Sequence, residues 1–66
     1  MDFRDYPLSL LLKNRDIFTV FDEEFNKGTW LDVTALLNSE SSINQLYSDD
    51  TVPAETLDRI VARLSR

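Results

Sequence analysis

Three adjacent carboxylates, Asp22, Glu23 and Glu24, are the densest group of chemistry-bearing side chains in this sequence. Metal binding or paired-acid catalysis would need them to converge on one point. Successive helical residues point about 100° apart, so the three fan outward and a solvated helix face is expected. Asp49 and Asp50 form a second acidic pair. They lack the alternating oxygen ligands and central glycine of a calcium loop, and read as part of a turn.

The chain has no histidine and no cysteine. Those absences remove the commonest general base, the commonest imidazole ligand, thiolate chemistry and any disulfide. Its serines have no histidine to activate them. The single glycine, Gly28, cannot by itself make a phosphate-cradling loop. A non-enzymatic protein that needs no metal or cofactor is the expectation. Trp30 is the remaining conspicuous side chain: an exposed Trp is a common interface anchor, but just before a helix in so short a chain it is expected to plug the core, because its apolar area is large.

The formal net charge is −5, unevenly spread. Residues 16–58 hold ten acids and one base, Lys27, giving 1 − 10 = −9. Residues 1–15 contribute 3 − 2 = +1, and Arg59, Arg63 and Arg66 add +3 at the end. Such a body repels nucleic acid and favours basic partners. The candidate partner-binding residues are therefore Asp22, Glu23, Glu24, Asp49, Asp50, Glu55 and Arg59.

The elements that must position these groups are short helices. Tyr6–Lys13 reads as a helix with Pro7 near its start and Leu8, Leu11 and Leu12 as its buried stripe. Asn14 can cap a second helix reaching Lys27, with Ile17, Phe18, Phe21 and Phe25 inward and Gly28 as its stop. Ile17–Phe21 is also strand-like in composition, but a lone strand would have no partner. Thr29 and Asp32 match a capping box, with Asp32 itself as the alternative cap, before a third short helix carrying Val33, Leu36 and Leu37. Ser42 and Gln45 form a second box, opening a helix with Ile43, Leu46 and Tyr47 inward. Residues 48–51 link it to the last helix.

That last helix is the most regular. Leu57, Ile60, Val61 and Leu64 recur at i, i+3, i+4 and i+7. Pro53 suits the first helical position, and Glu55 and Arg63 complement the helix dipole at either end. The expected fold is all-α: a small single-domain bundle of four to five short helices spanning residues 1–66. No apolar run reaches the roughly 18 residues of a membrane span, and the start of the chain lacks a signal-peptide pattern. A cytoplasmic protein is expected.

Two resemblances involve the C-terminal half. Leu46, Val52, Leu57 and Ile60 fall at the apolar spacings of helix-turn-helix modules, with Thr56 and Arg59 expected to be exposed. In such a module Pro53, Ala54, Glu55 and Asp58 would lie toward the groove, where two acids repel phosphate and no Arg, Asn or Gln reads a base edge. The second resemblance rests on Pro7–Leu12, Phe21–Gly28, Ser42–Leu46 and Pro53–Leu64. This order resembles the small helical module at the C-terminal end of some bacterial glycoside hydrolases, and similar free-standing bacterial helical domains. The resemblance implies a non-catalytic accessory role, with no catalytic residues to carry over.

Binding to another protein, in an accessory or inhibitory role, is thus the leading expectation. A DNA-binding regulator and a phage-type acidic mimic of nucleic acid, blocking a basic host surface, are the alternatives.

Overall fold

Short polar side chains and prolines set the helix starts of this protein. In a computed structural model, which describes residues 2–66, the helices are α1 (Leu8–Leu11), α2 (Arg15–Gly28), α3 (Ile43–Asp49) and α4 (Ala54–Leu64). Single 3-10 turns lie at Phe3–Asp5 and Val33–Leu36. Among the described residues there is no strand, and no helix is long and apolar enough to cross a membrane. The fold is a small all-α globule.

The Asn14 side chain accepts from the N–H groups of Asp16 (2.9 Å) and Ile17 (3.3 Å), which fixes the start of α2. The strand-like stretch Ile17–Phe21 is therefore helical. At α3 both halves of the capping box form: Gln45 N–H donates to Ser42 Oγ at 3.2 Å, and Ser42 N–H donates to Gln45 Oε1 at 2.8 Å. Asp50 ends α3 at φ 59°, a left-handed conformation that Asp tolerates better than most residues.

Several expected boundaries shift. The first helix is one turn, not the whole of Tyr6–Lys13. Its free N–H groups at Leu8 and Ser9 donate to the carbonyls of Ser41 (2.8 Å) and Ser39 (2.9 Å), so a distant loop completes it. The third helix is only the 3-10 turn, and Asp32 is its cap, donated to by Thr34 N–H at 2.9 Å. Of its apolar residues Val33 is buried, Leu36 partly so, and Leu37 is exposed. Helix α3 runs on to Asp49, into the expected linker. Pro53 precedes the first helical residue of α4 rather than occupying it.

Helices α2 and α4 make the most extensive pairing in the fold. Phe21 and Phe25 on α2 meet Leu57 and Ile60 on α4 in one core cluster, and all four are almost wholly excluded from solvent. The two phenylalanine rings pack tilted by 50°, centroids 6.2 Å apart. Leu8, Leu11 and Leu12 join the same cluster, as do Ile43, Leu46 and Val52. Two polar ties reinforce the shell. Asn44 Nδ2 donates to Asp5 Oδ1 at 2.6 Å, joining α3 to the N-terminal turn, and Tyr47 Oη donates to Asp58 Oδ1 at 2.6 Å, joining α3 to α4.

Candidate functional site

Gly28 closes α2 without a left-handed turn; its φ is not positive. Glycine is required there for a different reason. A Cβ on Gly28 would lie 2.5 Å from Oγ1 of Thr56 on α4, inside any tolerable contact. Thr56 is buried, at 1 % exposure, and not exposed as a helix-turn-helix reading expects. The end of α2 thus sits directly against the start of α4, and residues 29–31 leave that junction.

Thr29 holds those residues. Its N–H donates to the Phe25 carbonyl at 2.9 Å and its hydroxyl donates to the same carbonyl at 3.1 Å. The hydroxyl oxygen also accepts from Leu31 N–H at 3.0 Å. Three residues after Thr29, the Asp32 cap anchors the chain again. The Thr34 N–H and side chain lower the Asp32 pKa below the ordinary carboxylate value, as expected for a carboxylate that accepts a backbone hydrogen bond.

Between these two anchors Trp30 stands free in solvent, at 103 % of its reference exposure. The expected core plug is at the surface, because the Thr29 turn carries the indole outward and Val33 fills the core position instead. Leu31, 45 % exposed, is beside it. Together with Gly28, Thr29, Thr51 and Pro53 they line an open groove of about 370 Å³. On its other side Trp30 borders a second hollow with Asn26 and Lys27. The groove is at the low end of ligand-pocket sizes and open to solvent, so it suits side chains of a larger partner better than an enclosed small molecule.

The acidic candidates separate into two groups. Glu24 is not on a solvated face: it is 4 % exposed, with Oε2 at 3.1 Å from Arg63 Nη1 and 3.9 Å from Lys27 Nζ. Its Oε1 is buried and has no hydrogen-bond partner among the described residues. Glu23 Oε1 takes the other arm of Arg63 at 2.8 Å. The two carboxylates, Glu23 first, raise the pKa of the guanidinium above its ordinary value. Burial follows from position: Glu24 lies three residues after Phe21, on the face of α2 that meets α4. Arg63 does more than complement the dipole at the end of α4; it ties α4 to α2.

Asp22 is half-buried, whereas Asp49, Asp50, Glu55 and Arg59 are exposed. Arg59 and Glu55 approach to 3.9 Å one turn apart. Asp32, Asp50 and Glu55 lie within two residues of groove-lining positions Leu31, Thr51 and Pro53. Part of the exposed acidic surface thus adjoins the groove along the chain. Asp32 and Trp30 were outside the candidates drawn from charge alone, and a tryptophan followed by a capping carboxylate was the signal present in the sequence.

Comparison of the chain with models of protein families, with curated proteins and with solved structures finds no match.

Proposed function

We propose that this chain is a non-enzymatic binding module that docks another protein on the surface around Trp30. One observation carries the reading: the only tryptophan of the chain is fully exposed on a segment pinned at both ends, beside an open groove. A large amphipathic side chain with only two torsions, carried on an anchored backbone segment, loses little conformational freedom on binding, which makes it an effective interface anchor. The accessory role implied by the hydrolase-module resemblance is one form of this function.

The other readings receive less support. Burial of Thr56 removes a polar group from the face a DNA-binding helix would use, and Glu55 and Asp58 remain exposed there. For an acidic mimic, the densest carboxylate cluster is largely engaged within the fold, with Glu24 buried and Glu23 held by Arg63.

Affinity capture from an extract of the native host, run in parallel with wild-type and Trp30→Ala bait, tests the proposal. At least one protein recovered with the wild type should fall several-fold with the variant. Identical recovery by the two baits would overturn it.

A further inference from the structure

The groove beside Trp30 has a charge as well as a shape. Asp32, Asp50 and Glu55 flank its lining residues along the chain, and all three are exposed. The cation next to Trp30, Lys27, lies within 3.9 Å of the buried Glu24. Exposed acids next along the chain to the lining of a groove that holds an exposed indole favour a cation there, since the ring's quadrupole and the acids attract the same charge. Phosphate-rich partners, whether nucleic acid or an anionic lipid surface, meet repulsion at this rim. A second copy of the chain brings a like net charge of −5 to it.

Resting on the docking function above, we propose that the occupant is a basic segment of a partner protein. An arginine of that segment stacks on Trp30 and its apolar neighbour lies against Leu31 and Pro53. Arginine fits better than lysine, because its planar guanidinium can stack on the indole while its edge pairs with a carboxylate. Asp50 and Glu55 supply that pairing and steer the approach. Arg59, 3.9 Å from Glu55, is loosely enough held to yield to the incoming cation.

Trp30 is its own reporter, since the chain has no other tryptophan. The probes are short capped peptides alternating leucine with arginine, serine or glutamate, titrated against intrinsic fluorescence. The arginine peptide should change the emission saturably, and the serine and glutamate peptides should not. Raising salt to about 0.3 M, where the Debye length falls to about 6 Å, should weaken the response roughly tenfold. Asp50→Asn with Glu55→Gln should weaken it about fivefold, with helical circular dichroism unchanged.

An equal response to all three peptides, or one indifferent to salt, would overturn the basic occupant while leaving protein docking at Trp30 in place. Emission that shifts with protein concentration alone, or with anionic vesicles but not the arginine peptide, would overturn it in favour of a second copy or a membrane. Failure of the docking function itself shows separately, as identical host capture by wild type and Trp30→Ala.

Discussion

Oγ1 of Thr56 occupies the space, 2.5 Å away, where any side chain at Gly28 would begin. The contact sets how closely α2 approaches α4 and so where the segment carrying Trp30 departs. It also makes an unusual demand on substitution. Alanine in a helix is ordinarily more stable than glycine by about 1 kcal/mol. Here Gly28→Ala should instead destabilise by about 1–2 kcal/mol, the cost of overpacking. In a Thr56→Ala background the nearest remaining atom would be Cβ at 3.7 Å, and Gly28→Ala should become neutral or stabilising. Chemical denaturation of the four proteins in this cycle measures the change of sign; the same penalty in both backgrounds would remove Thr56 from the explanation.

The Glu24–Arg63 pair should behave as an internal tie and not as a surface ion pair. Its carboxylate is buried, so removing the guanidinium leaves a charge whose remaining cation among the described residues is Lys27, 3.9 Å away. Arg63→Ala should lower Tm by roughly 5–10 °C. By contrast Arg59→Ala, which frees only exposed Glu55, should change it little. Glu24→Gln, which keeps the shape and removes the charge, should blunt the effect of Arg63→Ala. Thermal melts in which Arg63→Ala and Arg59→Ala are indistinguishable would contradict the assignment.

Tyr47 gives the fold an alkaline limit. Burial first, then its hydrogen bond to Asp58, pushes the phenol from 10.0 up to about 12. A pKa raised on folding means that the fold favours the protonated phenol. Its contribution is therefore complete below pH 10 and is lost as pH rises through about 12. Denaturation between those pH values should show stability declining in the wild type, and Tyr47→Phe should remove that part of the decline. An unchanged slope in the variant would assign the alkaline loss elsewhere.

Local signals were legible in the sequence, and distant ones were not. Asn14 and the Ser42–Gln45 box act on N–H groups two or three residues away, so their spacing was enough to place the starts of α2 and α3. The apolar spacing of Leu57 and Ile60 identified the core face of α4 for the same reason. The Glu24–Arg63 pair spans 39 residues, and nothing local distinguishes Glu24 from its exposed neighbour Glu23. Gly28 sits where a helix stop belongs, which concealed its packing role against Thr56. The size of Trp30 and its place just before a helix point to the core, although the capping groups on either side, Thr29 and Asp32, are visible in the sequence. The turn that Thr29 makes with Leu31 N–H, followed at once by the Asp32 cap, leaves the indole between them outside.

The account depends above all on that exposed indole. The unfolding free energy of Trp30→Ala, followed by circular dichroism in denaturant because the substitution removes the fluorophore, tests it most directly. A side chain wholly outside the core predicts a value within about 0.5 kcal/mol of the wild type. A loss of about 3–5 kcal/mol, as when a core Trp is truncated, would put Trp30 inside the fold and leave the proposed binding surface without its anchor.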